Sequence, residues 1–305
     1  MMQLVILSGK GGTGKTTIAA AFAQLAAEEA SKSRNVLVDA DVDAANLALL
    51  LQPKNKERYE YWGGQIARIE PELCSGCGLC QDLCGFDAVV PANGYYRIDE
   101  LNCEGCGACF FSCPNEAIAL HQQLAGEWFK AESRYGPLVH AALRPGQENS
   151  GKLVACIKSQ AEGLAKRIGA DLMIVDGSPG IGCPAIAAAS GADLALIVAE
   201  PSAAGVHDLG RIERMLNHFG VPVRVCVNKS DLFTPGVDQI RELCEARGLE
   251  LIAELPFDGV VAQAMAAGRP VTAYRPLSGL SRQLEALWNR LSAELESASV
   301  QRADA

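Results

Sequence analysis

Two groups of residues in this 305-residue chain have the types and spacing to do chemistry. The first is Gly9-Lys10-Gly11-Gly12-Thr13-Gly14-Lys15-Thr16, which fits G-x-x-x-x-G-K-[ST] and continues into Thr17. Its glycines let consecutive backbone N–H groups turn toward phosphate oxygens, Lys15 can reach the β and γ phosphates, and the Thr16 hydroxyl can bind magnesium. The second is a pair of cysteine runs, Cys74-x2-Cys77-x2-Cys80-x3-Cys84 and Cys103-x2-Cys106-x2-Cys109-x3-Cys113. Three cysteines so spaced let a short loop wrap one four-iron cube, while the fourth reaches across to the other. The spacing therefore predicts one 4Fe-4S centre on Cys74, Cys77, Cys80 and Cys113, and a second on Cys84, Cys103, Cys106 and Cys109.

The second run, with Pro114 after its last cysteine, is the complete bacterial ferredoxin motif, whereas the first has Gly85 in place of the proline. Gly76, Gly78, Gly105 and Gly107 let the backbone turn tightly between ligands. Zinc usually takes paired C-x2-C clips separated by a longer loop, so consecutive triplets disfavour it. Of the other four cysteines, Cys156, Cys226 and Cys244 fit ordinary core positions, and Cys183 is open between a structural or redox-sensitive thiol and a ligand.

Around the phosphate loop, Asp39-Ala40-Asp41 closes a short apolar run, and carboxylates at the C-terminal end of a parallel strand lie in the ligand crevice. Asp176 opens Asp176-Gly177-Ser178-Pro179-Gly180 after another apolar run. Asn228-Lys229-Ser230-Asp231 has the N-K-x-D form that reads guanine in many GTPases, which leaves the base open on the motif alone. Lys10 is not required by loop geometry and points to a second anionic contact.

From Lys10 to Thr16 the chain resembles the MinD/ParA/Mrp family of P-loop ATPases, with their deviant K-G-G-x-G-K-[ST] motif. The resemblance spans about residues 2 to 290 and extends to members that carry an inserted ferredoxin domain. It implies that Lys10 reaches the nucleotide of the other subunit in an ATP-bound sandwich dimer, formed with itself or with a paralogue. Asp39 would support the magnesium-bound water, Asp41 would orient the attacking water, and Asp176 would stand on the magnesium shell in a mobile switch. Asn228, with Lys229 beside it, would meet adenine, and Pro256-Phe257-Asp258 would line the far side. Cys183 sits at the offset where the related nitrogenase iron protein has a cysteine on its bridging cluster. The implied function is Mg-dependent ATP hydrolysis coupled to electron transfer toward a redox partner. The alternatives are an Mrp-type cluster carrier, although no C-x-x-C follows Cys113, and a MinD-like positioning ATPase.

These residues need elements to hold them. Gln3–Leu7, the alanine-rich stretch Thr16–Ala30 and Val36–Val38 read as strand, helix, strand. Beyond Gly151, helical patterns alternate with apolar runs at Leu172–Val175, Leu194–Val198, Val223–Val227 and Leu249–Ala253, which calls for an α/β fold with a mostly parallel sheet. The cysteine-rich texture of 66–121 interrupts this pattern as a small α+β ferredoxin-like module, leaving ATPase portions at 1–65 and 122–305. The stretch 126–150, broken by Gly136-Pro137 and Pro145-Gly146, resists assignment. A terminal stripe of Leu280, Leu284, Leu287, Leu291 and Leu295 reads as a helix packed on the sheet, since its polar face is not basic.

The net charge of -9 argues against duplex nucleic-acid binding. Residues 66–121 hold eight acids against two bases, so most of that charge lies in the cysteine module and predicts a basic redox partner. With no leader pattern and no apolar run of bilayer length, a cytoplasmic protein without membrane attachment is expected, and reducing conditions favour metal ligation over disulfides.

Overall fold

The computed structural model describes residues 1–29, 34–145, 147 and 150–303. Ala30 of the forecast helix and Gly146 of the forecast breaker lie outside the described residues.

The chain opens with β1 (Met2–Leu7), α1 (Lys15–Glu28), β2 (Asn35–Asp39), α2 (Leu47–Leu51) and β3 (Lys54–Ile69). The cysteine-bearing stretch follows with α3 (Leu79–Asp82), the hairpin β4 (Val89–Ala92) and β5 (Tyr95–Ile98), and α4 (Ala108–Ser112). Then come β6 (Ile118–Ser133), β7 (Gly136–Leu143), α5 (Ser150–Ile168), β8 (Leu172–Asp176), α6 (Cys183–Ala189), β9 (Leu194–Ala199) and α7 (Ala203–His218). The chain ends with β10 (Val223–Asn228), α8 (Thr234–Arg247), β11 (Glu250–Leu255), α9 (Val260–Ala266), α10 (Val271–Tyr274) and α11 (Gly279–Ala303).

One nine-stranded sheet runs in the order β11-β10-β9-β1-β8-β2-β7-β6-β3. The pairs from β11 through to β7 are parallel. β1 and β9 are buried along their whole length, the burial expected of parallel strands covered on both faces. Helix α1 is alanine-rich because nearly every face is packed: Ile18, Phe22 and the alanines between them are buried, and Phe22 meets Trp288 of α11 at 5.2 Å. The leucine stripe of α11 faces inward, with Leu284 and Leu291 each 1% exposed, in the same core as α1 and β11. Among the described residues no helix is long and apolar enough to cross a membrane.

Sequence periodicity missed β3, β6 and β7. The first seven residues of β3 are exposed and polar, as befits the sheet edge, so no apolar alternation marks them. Gly136, read as a breaker, instead starts β7 with φ 128°, where a side chain would press on the Asn35 carbonyl.

The chain divides into two compact units, one of Met1–Tyr59, Trp128–Ala142 and Ser150–Ala305, the other of Glu60–Glu127 and Leu143–Asn149. The second unit contains a 29-residue repeat that places Cys74, Cys77, Cys80 and Cys84 in register with Cys103, Cys106, Cys109 and Cys113. Its backbone repeats too: φ is +70° and +61° at Gly76 and Gly105, +82° and +80° at Gly78 and Gly107, and +52° at both Asp87 and Glu116. The halves interlock crosswise, with Glu70 N–H donating to Ala117 O and its repeat mate Asp99 N–H donating to Ala88 O.

Candidate nucleotide site and cysteine chambers

The phosphate loop leaves the C-terminal end of β1 and enters α1. Gly14 caps α1 at φ 98°, in the left-handed region that favours glycine, and any side chain there would strike the Asn228 amide. Asn228 Nδ2 donates to Thr13 O at 2.7 Å and Lys229 Nζ donates to Gly12 O at 3.0 Å, so the end of β10 braces the loop. The ends of β2 and β8 stand beside it, with Asp39 and Asp176 in register as neighbours. Gly180 N–H bonds Ser8 O at 2.8 Å and Ser178 Oγ bonds Ala40 O at 2.5 Å, tying the segment after β8 to both the loop and β2.

A cleft of about 520 Å³ opens over these strand ends, within the size range of small-molecule sites. Of the forecast binding residues, Gly11, Gly12, Gly14, Lys15, Thr16, Thr17, Asp41, Asn228, Lys229, Pro256, Phe257 and Asp258 line it. Gly9, Lys10 and Thr13 do not, and Asp39 and Asp176 are fully buried behind the lining. Lys10 turns within its own chain to Glu200, 3.3 Å away, and to the Ser202 hydroxyl at 3.4 Å. Glu200, which sequence reasoning did not single out because its partners are distant in the chain, also faces Lys229 at 3.8 Å.

The electrostatics show what the cleft could hold. Asp39 accepts from Leu47 N at 3.0 Å and from Asp41 N at 3.2 Å. Its pKa stands well above the usual carboxylate range because it is buried, and then because Asp176 lies beside it. Burial likewise lifts Asp176 to about 6, against the lowering pull of the Thr16 hydroxyl and the Lys15 ammonium. Thr16 is close enough to be felt, yet both Asp176 oxygens lie buried with no completed hydrogen bond. Asp41, half-buried, is also raised by desolvation, with Lys15 opposing. Two adjacent carboxylates whose charged forms burial disfavours, one of them with orphaned oxygens, fit a site whose missing charge is a cation. The residues present suit magnesium, which binds through one or two carboxylates plus phosphate oxygens.

Asp231, the acidic position of N-K-x-D, accepts from Phe257 N at 2.6 Å and so shapes the turn that carries Phe257 into the cleft.

In the second unit the cysteines surround two small chambers. Cys74, Cys77, Cys80 and Cys113 line one and Cys84, Cys103, Cys106 and Cys109 line the other, each with a volume of only about 20 Å³. Among the described residues no three His, Cys, Asp or Glu side chains converge tightly enough to hold a single metal ion. Burial pushes the Cys80 and Cys109 thiols up, so free thiolates are disfavoured there.

The remaining cysteines are spread through the first unit. Cys226 and Cys244 are buried, and desolvation raises them to about 12 and about 11, the marks of inert core thiols. Cys156 is half-buried and Cys183 exposed at the start of α6.

A family model described as the CobQ/CobB/MinD/ParA nucleotide binding domain matches residues 4–271. The uncharacterized protein MJ0578 of Methanocaldococcus jannaschii is 37% identical over 232 residues, 76% of this chain and 79% of that protein. A Pyrococcus horikoshii protein named iron-sulfur cluster carrier protein is 24% identical over 289 residues, covering 89% of this chain and 79% of its own length. Ferredoxin-1 of Rhodobacter capsulatus is 44% identical over 32 residues, 10% of this chain and 49% of that protein. Among solved structures, the cell division ATPase MinD of Pyrococcus furiosus matches with a TM-score of 0.59 at 19% identity, covering 96% of this chain and 98% of that one. The septum site-determining protein MinD of P. horikoshii, complexed with Mg-ADP, matches with a TM-score of 0.58 at 17% identity, covering 95% of each chain. At these identities the structures speak for the fold. The chain belongs to the CobQ/CobB/MinD/ParA nucleotide-binding family and builds its cleft on that family's α/β ATPase fold.

Proposed function

We propose that this protein is a Mg-dependent ATPase that couples a nucleotide-driven dimer switch to electron transfer through two 4Fe-4S clusters. The single observation that carries the reading is the partition of eight cysteines into two sets of four around two chambers, in a chain whose other unit bears a phosphate loop. In this reading residues 66–121 are an inserted ferredoxin-like domain between ATPase portions 1–65 and 122–305. The clusters, when bound, supply one-electron chemistry. The chambers' cysteines would hold them, with Cys77 and Cys106 on the exposed side of each.

On the nucleotide side, the loop amides and Lys15 hold phosphates, and Thr16 and Asp176 hold magnesium with Asp39 behind them. Asp41 orients the attacking water. The base lies between Asn228 and Pro256-Phe257, and adenine is favoured because Asp231 is engaged by the Phe257 N–H. Lys10 leaves Glu200 for the nucleotide of a second subunit. The expected partners are a second copy or a paralogue, and a basic redox protein.

The test is anaerobic. Reduced protein is mixed with an electron acceptor in the presence of ATP, a non-hydrolysable analogue, or no nucleotide. Faster transfer with ATP supports coupling, and equal rates in all three sink it.

A second reading, a cluster carrier, is favoured by the P. horikoshii relative and its printed name. It predicts ATP-dependent delivery of iron and sulfide to an apo-acceptor, whereas a resident ferredoxin-like module retains both.

A further inference from the structure

The two chambers are built from the same repeat, and their differences are therefore informative. Nearly every residue lining the first has its mate, 29 positions away, lining the second. Three mated pairs change polarity. Tyr96 in the first chamber corresponds to Ala67 in the second, Ser75 corresponds to Glu104, and Asn115 corresponds to Phe86.

The Tyr96 hydroxyl stands over the loop between the second and third cysteines of the first run. A Cβ built on Gly78 would lie 3.1 Å from that oxygen. At the repeat mate Gly107 the same position meets only hydrocarbon, Phe111 at 3.2 Å and Leu120 at 3.6 Å. Among the described residues the Tyr96 hydroxyl has no hydrogen-bond partner, so its proton is free for sulfur in the chamber. Asn115, by contrast, is committed to Leu73 O at 3.2 Å and contributes less. Reduction adds negative charge to a cluster. A hydroxyl donor facing it favours that charge, and a carboxylate nearby opposes it.

We infer that the two clusters are inequivalent: the one held by Cys74, Cys77, Cys80 and Cys113 has the higher reduction potential, with Tyr96 raising it and Glu104 lowering its neighbour. The inference rests on the cluster reading given above. One electron, delivered by a low-potential one-electron donor protein, then comes to rest on the first cluster. If it enters at the second, that cluster is reoxidised as the first is reduced. Tyr96 and Glu104 are positioning and tuning residues, since neither is a ligand.

The experiment is an EPR-monitored redox titration of the reconstituted full chain, with dithionite as reductant and iron and acid-labile sulfide counted beforehand. Wild type is expected to show two half-potentials. Tyr96→Phe lowers the higher one and leaves the lower in place, shifting the electron distribution between clusters by about tenfold, which is about 59 mV for one electron. Glu104→Gln raises the lower one, and it remains a test if Tyr96→Phe does not fold. Coincident wild-type half-potentials, or substitutions that move neither or the opposite cluster in a protein carrying both full iron complements, overturn the inference. A chain that takes up no iron and sulfide overturns the cluster reading itself, and this inference with it.

Discussion

Asp176 carries an unusual burden for a single carboxylate, being fully buried with both oxygens unpartnered beside a second buried carboxylate. Its folded pKa of about 6 lies above the ordinary 3.8, so the native state holds a proton that the unfolded chain releases between those values. This contribution to stability is complete below pH 4 and is lost as pH rises through 6, a loss of up to about 3 kcal/mol. Asp176→Asn should therefore raise the melting temperature of the nucleotide-free protein at pH 7.5 by several degrees and flatten its fall between pH 4 and 6. The same variant should show a smaller stabilisation by Mg-ATP and about 10²-fold slower hydrolysis. Differential scanning calorimetry across pH, with and without Mg-ATP, checks the first two effects, and a phosphate-release assay the third. Asp231 makes a contrasting prediction: since it shapes the Phe257 turn, Asp231→Asn should leave the preference for ATP over GTP within about threefold, measured by nucleotide competition. A switch in preference would restore the guanine-reading role.

Between elements, the contact that sequence could not announce is Lys158 of α5. It is 4% exposed and donates to Ala188 O at 2.8 Å and also to Ser190 O, satisfying carbonyls at the end of α6. Burial lowers its pKa to about 8, so it is still largely charged at neutral pH, suited to the negative end of a helix. Because α6 follows the Asp176–Gly180 segment, this lysine anchors the helix into which that segment runs. Lys158→Met should destabilise the protein by about 2 kcal/mol by leaving buried carbonyls unpaired, read as a lower urea midpoint at unchanged slope. The phosphate loop was legible from Gly9 to Thr16 because a loop that wraps phosphates does so with consecutive residues. The grouping of the cysteines around two chambers was legible for the same reason, helped by a repeat that copies the backbone as well as the cysteines. Strands β3, β6 and β7 were not: β3 lies at the sheet edge and its exposed first half has no burial pattern to imprint on its sequence, while β7 begins at the Gly136-Pro137 pair that reads as a turn.

For the molecule as a whole, charge is unevenly shared: residues 66–121 hold eight acids and two bases in a chain of net charge -9. Two 4Fe-4S centres with four thiolates each would add roughly -2 apiece when oxidised, deepening the imbalance. Association with a basic redox partner should slow at least about tenfold between 50 and 500 mM salt in stopped-flow measurements, and a salt-independent rate would exclude electrostatic docking through this module. Exposed Phe111, at 83%, and Leu101, at 86%, lie in the same stretch, along with the less exposed Leu73, Leu83 and Phe86, so its acidic surface also carries apolar side chains. The sequence by itself determined the chemistry available: a phosphate loop, two sets of four cysteines, and carboxylates at strand ends. Such sites are encoded in residues close together in the chain, and their spacing survives whatever the fold does around them. Only the tertiary structure decided which groups face one another across long separations. It parked Lys10 on Glu200, braced Thr13 with Asn228, buried Asp39 against Asp176, and set Tyr96 over one chamber while leaving hydrocarbon over the other. Those pairings depend on strand order and packing, because nothing local in the sequence links residues that the sheet brings side by side.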